Sequence, residues 1–153
     1  MRYECELIEA EPQPALAMRR SARSTEVAQA LSEALPAAWQ HARDRGIQLA
    51  GPPFTRFLDM EEDRLELQAG FPTFEHPTGS GKVDAIVLPG GQILTALHYG
   101  PYEDLNYAYE AMLEWMEENG KEPAGTPWEV YVTDPGEEPD SSRWQTRVHW
   151  PVQ

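Results

Sequence analysis

The sequence predicts an α+β domain in which a strand–helix–strand–strand unit occurs twice, its strands forming one antiparallel sheet with both helices on one face. Three observations predict it. The first is an internal repeat: Gly46 to Leu58 reads GIQLAGPPFTRFL, and Gly120 to Val132 reads GKEPAGTPWEVYV. At a constant offset of 74, Gly46 meets Gly120, Ala50-Gly51 meets Ala124-Gly125, Pro53-Phe54 meets Pro127-Trp128 and Phe57 meets Tyr131. At an offset of 79, Phe71-Pro72 matches Trp150-Pro151 and Ala17-Met18 matches Ala96-Leu97. The second is a helical periodicity ahead of each repeated block, and the third is a set of strand-length alternating segments around them.

The elements follow in order. Segments around Tyr3–Glu9 and Pro14–Arg20 alternate as strands do. Ser24 is a candidate N-cap, and Val27, Ala28, Leu31, Leu35, Ala38, Trp39 and Ala42 follow helical spacing to Gly46. Pro36 lies inside that helix and is expected to kink or split it, because it lacks an N–H and its ring clashes with the preceding turn. Strands at about 54–59 and 64–71 flank the hairpin loop 59–63. Pro72–Lys82, with Gly79-Ser80-Gly81, reads as the linker between repeat one (about 1–75) and repeat two (about 83–153) of a single domain spanning 1–153. The second repeat offers strands at 83–88 and 93–99, then a helix with Leu105, Tyr109, Met112, Leu113 and Met116 on one face and Gly120 at its end. Strands at 128–133 and 143–150 close it, separated by the acidic loop Asp134 to Ser142.

Composition bounds the function. The formal net charge is −14, and residues 101–153 hold twelve acids against three bases. Such a surface repels phosphate backbones, which argues against direct nucleic-acid binding, and it concentrates cations. Cys5 has no second cysteine to pair with, which points to a reducing compartment. No apolar run reaches signal-peptide or membrane-span length, so the expected location is cytoplasmic and no membrane contact is expected. His41, His76, His98 and His149 are scattered and have no cysteines near them, so neither a metal nor a cofactor is expected. Gly79-Ser80-Gly81-Lys82 is not a phosphate loop, and no serine stands in a nucleophile-elbow sequence.

The candidate site begins at Glu129. In the strand 128–133, Trp128, Val130 and Val132 form an apolar row suited to packing under the helices, while Glu129, Tyr131 and Thr133 project the other way. A carboxylate among such neighbours is costly without a partner. Desolvation should raise its pKa and a bound cation should lower it again, with aromatic rings adding cation–π attraction. The plain alternative is a solvent-facing glutamate on a half-exposed sheet. Trp39 and Tyr109 fall on apolar helix faces and read as core, as does Met18; Trp144 and Trp150 suit core or pocket equally.

His98-Tyr99-Gly100-Pro101-Tyr102-Glu103, followed by Leu105, Tyr109, Leu113, Trp115 and Gly120, and then Pro127-Trp128-Glu129-Val130-Tyr131-Val132-Thr133-Asp134-Pro135, resembles the gyrase-inhibitor-like (GyrI-like) family. That family includes the effector-binding domains of AraC-type and multidrug-sensing MerR-type regulators. The resemblance covers 83–153 well and the first half by repeat logic. It implies a duplicated unit with a pocket at the junction of the halves, where Glu129 holds a hydrophobic, often cationic compound. Glu129, Tyr131, Phe57, Tyr99, Tyr102 and Trp150 are the expected ligand-binding residues. The chain has no length to spare for a DNA-binding helical domain, so a stand-alone member is expected, one that senses, sequesters or protects against a drug. Two alternatives stay open. One is a hydrolase of cyclopropane-bearing alkylating compounds, with Glu129 as base and Tyr131 as its partner. The other is a protein-interaction role, such as inhibition of DNA gyrase.

Overall fold

The computed structural model describes residues 3–153, which form an α+β protein of eight antiparallel strands and two helices. The strands are β1 (Cys5–Ala10), β2 (Gln13–Arg23), β3 (Phe54–Met60), β4 (Arg64–Pro72), β5 (Val83–Leu88), β6 (Gly91–Tyr99), β7 (Trp128–Tyr131) and β8 (Gln145–Pro151). The helices are α1 (Val27–Arg45) and α2 (Leu105–Glu118), each entered through a single 3-10 turn. Two compact units divide the chain. One is Pro12–Pro89, and the other joins the residues up to Glu11 with Gly90–Gln153.

In the Pro12–Pro89 unit the strand order is β3-β4-β2-β5, with α1 on one face. Leu16, Met18, Leu67, Ala69 and Val83 meet Ala30, Ala34, Ala38 and Ala42 of the helix, all buried. Alanine at every fourth position gives α1 a flat stripe that lies close to the sheet. The chain's helical face is thus rotated from the sequence reading. Ala28 is exposed, and Trp39 is 43% exposed beneath the guanidinium of Arg43, 5.2 Å from its ring, so it is not core. Pro36 does not split the helix: Ser32, whose carbonyl loses its donor there, lies on the exposed side, where the carbonyl is open to solvent rather than buried unpaired. Ser24 makes no side-chain cap; it opens the 3-10 turn, and α1 begins three residues later. Gly46 ends α1 in the left-handed conformation at φ 66°, its amide donating to the carbonyls of Ala42 and Arg43.

In the other unit the order is β7-β8-β6-β1, with α2 on one face. Leu94, Ala96 and Val148 pack under Leu105, Ala108, Met112 and Met116. The first strand of the chain pairs here, Cys5 opposite Ala96 and Ile8 opposite Ile93, rather than with β2. The outer ladders of the two units share one register: Phe54 pairs with Gly70 and Phe57 with Leu67, as Trp128 pairs with His149 and Tyr131 with Thr146.

Candidate functional site

Strand pairing decides which way Glu129 points. It lies opposite Val148, a fully buried residue of the core beneath α2, and its side chain therefore faces the helix. The two rows of β7 are the reverse of those expected from the sequence. Glu129 and Tyr131 are on the helix side, while Trp128 stacks its ring on that of His149 at 5.3 Å on the other face. Burial pushes the His149 imidazole down to about 4 there. The apolar row fades outward, from Trp128 at 5% exposed to Val132 at 46%. A carboxylate is tolerated under the helix because α2 supplies a donor for it, a contact that no periodicity reveals.

That donor is Tyr109, the residue read from sequence as core. Its hydroxyl donates to Glu129 Oε2 at 2.6 Å, and the Tyr131 hydroxyl donates to Oε1 at 3.1 Å. Glu129 is 7% exposed, and among the described residues no lysine, arginine or histidine pairs with it. Burial drives its pKa above the ordinary carboxylate range, and the two hydroxyls pull it part of the way back. Burial and the neighbouring carboxylate hold Tyr109 protonated far beyond the usual phenol range.

Aromatic rings extend outward from this centre. Tyr109 meets Trp150 edge-on at 5.7 Å, and the Trp150 indole donates to the Gly125 carbonyl at 3.1 Å. Tyr102, in the 3-10 turn Tyr102–Asp104, meets Tyr131 edge-on at 5.5 Å and Trp144 at 5.0 Å. The Trp144 indole donates to the Glu138 carbonyl at 2.8 Å, which anchors the acidic loop to the same cluster. Burial, then the charges of Asp134 and Glu129, raise the Tyr102 phenol. Between Tyr131 and His98 on the helix side lies Thr146, fully buried, its hydroxyl without a hydrogen bond among the described residues.

Of the residues singled out in the sequence, Glu129, Tyr131, Tyr102 and Trp150 come together, joined by Tyr109 and Trp144. Tyr99 alternates away from His98 onto the face opposite α2 and is 56% exposed. Phe57 belongs to the Pro12–Pro89 unit, where it packs against the core under α1. Tyr109 was hidden because a tyrosine at helical spacing reads as core until the strand beneath it is known. Among the described residues no group of three or more His, Cys, Asp or Glu gathers to hold a metal, and no helix is long and apolar enough to cross a membrane.

The chain belongs to the GyrI-like small molecule binding domain family, whose model matches residues 3–153. No curated protein sequence matches it significantly. Its fold is similar to that of the EcmrR C-terminal domain, at 23% identity over 100% of this chain and 99% of that one, with a TM-score of 0.84. In the EcmrR–DNA complex the likeness is 24% identity over 99% of this chain, with a TM-score of 0.85, and this chain spans 57% of the EcmrR chain. A hydrolase from Listeria innocua shares the fold at 13% identity, 98% and 92% coverage and a TM-score of 0.70. SAV2435, solved bound to tetraphenylphosphonium, does so at 13% identity, 100% and 94% coverage and a TM-score of 0.52.

Proposed function

We propose that this chain binds a lipophilic aromatic cation, with Glu129 as the counter-charge and Tyr102, Tyr109, Tyr131, Trp144 and Trp150 as its walls. One observation carries the reading: a carboxylate only 7% exposed has two hydroxyl donors and no cation among its described neighbours. Hydroxyls lower the cost of burying the charge without cancelling it. A ligand cation supplies what is missing, and each ring face adds ~0.5–2 kcal/mol of cation–π attraction, depending on desolvation. The family's small-molecule binding and the phosphonium held by SAV2435 in the same fold support this. The matched ladders of β3-β4 and β7-β8 support a duplicated ancestry for the two units. Tetraphenylphosphonium titrated into the full chain, followed by calorimetry and tryptophan fluorescence, tests the proposal. Saturable one-to-one binding with a rise in melting temperature is expected, and no heat and no shift at millimolar probe would reject it.

A second reading rests on the Tyr131–Glu129 contact at 3.1 Å. A carboxylate made more basic by burial, beside a hydroxyl, is suited to deprotonating water for attack on a strained ring. Turnover of a cyclopropane-bearing alkylating compound by the wild type, cut at least about tenfold in Tyr131→Phe with binding kept, would favour this hydrolase over simple binding.

A further inference from the structure

His98 stands at the head of the HYGPYE segment and plays no part in the reading above. It is fully buried on the helix side of β6, opposite Thr146. Its two ring nitrogens serve different partners. Nε2 lies 3.0 Å from the Pro101 carbonyl, which can only accept, so Nε2 carries the proton. Nδ1 is then the acceptor for the Tyr3 hydroxyl at 2.9 Å, and the two rings stack at 5.8 Å. The Pro101 carbonyl also receives the Asp104 amide at 3.2 Å, the bond that closes the 3-10 turn beginning at Tyr102. On the other side the Gly100 amide donates to the Trp144 carbonyl at 2.9 Å. Gly100 sits at φ 132°, where a side chain would be strained, so this turn has a shape of its own that must be held.

The geometry points to His98 as a positioning residue for the ligand site. It holds the Gly100–Pro101–Tyr102 turn, keeps the Tyr102 ring against Tyr131 and Trp144, and ties that turn through Tyr3 to the segment leading into β1. A rigid ring with a donor at one end and an acceptor at the other does this with little entropy to lose. What the site binds rests on the function proposed above, while the placement of Tyr102 stands without any ligand.

The test uses His98→Leu, His98→Gln and Tyr3→Phe in the full chain, and has two arms. Amide hydrogen exchange needs no ligand. In His98→Leu the Asp104 amide should exchange at least about tenfold faster than in the wild type, relative to the Lys121 amide, which lies just past the far end of α2 and donates to the Met116 carbonyl at 2.8 Å. His98→Gln, whose amide can still donate to Pro101, should restore part of that protection, and Tyr3→Phe should fall between. Unchanged Asp104 protection, or equal acceleration at Asp104 and Lys121, would overturn the assignment, since equal acceleration means general destabilisation. In the second arm, tetraphenylphosphonium affinity should fall about five- to tenfold in His98→Leu. It should fall no further when His98→Leu is added to Tyr102→Ala. Additive losses would mean that His98 acts by another route. A wild type that does not bind the probe rejects the proposed function, and the exchange arm still decides the role of His98.

Discussion

Glu129→Gln removes one charge from the candidate site and leaves its shape nearly intact. The amide can still receive one tyrosine hydroxyl, and the hydroxyl facing its NH₂ group can turn to accept instead. The fold should therefore survive the change, and at neutral pH it should be no less stable than the wild type, because the variant no longer buries a charge without a cationic partner. Affinity for a cation should not survive so well. Two unit charges about 4 Å apart attract by about 4 kcal/mol at an effective dielectric of ~20. Dehydration of the ligand offsets part of this, leaving a net on the order of 2 kcal/mol, or a loss of about thirtyfold in affinity. Calorimetric titration of tetraphenylphosphonium into wild type and Glu129→Gln measures it. Triphenylphosphine oxide, which keeps three of the rings and carries no net charge, is the control, and its affinity should move by no more than about twofold. Equal losses for both probes would show that the site recognises shape alone. No loss for the cation would show that Glu129 is not its counter-charge.

Tyr109→Phe should destabilise the fold by about 2 kcal/mol, and more than Tyr131→Phe, because its bond to the carboxylate is 2.6 Å against 3.1 Å and leaves Oε2 without a donor; thermal unfolding of the two variants ranks them. The pH dependence of cation binding follows from the raised pKa of Glu129: affinity should climb with pH through a midpoint above the ordinary carboxylate range and then level off, and a flat profile from acid to neutral pH would refute this. Stability should run the opposite way, since a carboxyl raised in the folded state favours folding fully below its unfolded value and loses that contribution as pH rises through its folded midpoint. The wild-type minus Glu129→Gln difference in melting temperature, followed across pH, isolates it. Gly70→Ala should cost several kcal/mol, about 3 or more, or abolish folding, because a Cβ there would stand 2.7 Å from the Ala17 Cα and press on the Leu16 carbonyl, both backbone; near-wild-type unfolding would contradict the close approach of β2 and β4.

The sequence alone determined what local physics writes into short spans. Alternation and helical spacing placed all eight strands and both helices, and Gly46 and Gly120 marked the helix ends, where both residues adopt φ 66°. The offsets of 74 and 79 read from the sequence also relate the pairings of β3-β4 to those of β7-β8, Phe54 with Gly70 and Phe57 with Leu67 against Trp128 with His149 and Tyr131 with Thr146. The motif around Trp128-Glu129 led to the family and to the carboxylate. Only the tertiary structure decided which face of β7 lies under α2. Either row of that strand can be buried if the opposing helix offers the right partner, and Tyr109 offers a hydroxyl. The same holds for Trp39, whose apolar spacing placed it in the core until the alanine stripe of α1 settled against the sheet and left it outside. β1 pairs with β6, and His98, which bonds to the nearby Pro101 carbonyl, also bonds to Tyr3 across 95 residues of chain. Contacts of that separation depend on where whole elements pack, and periodicity within a window carries no information about them.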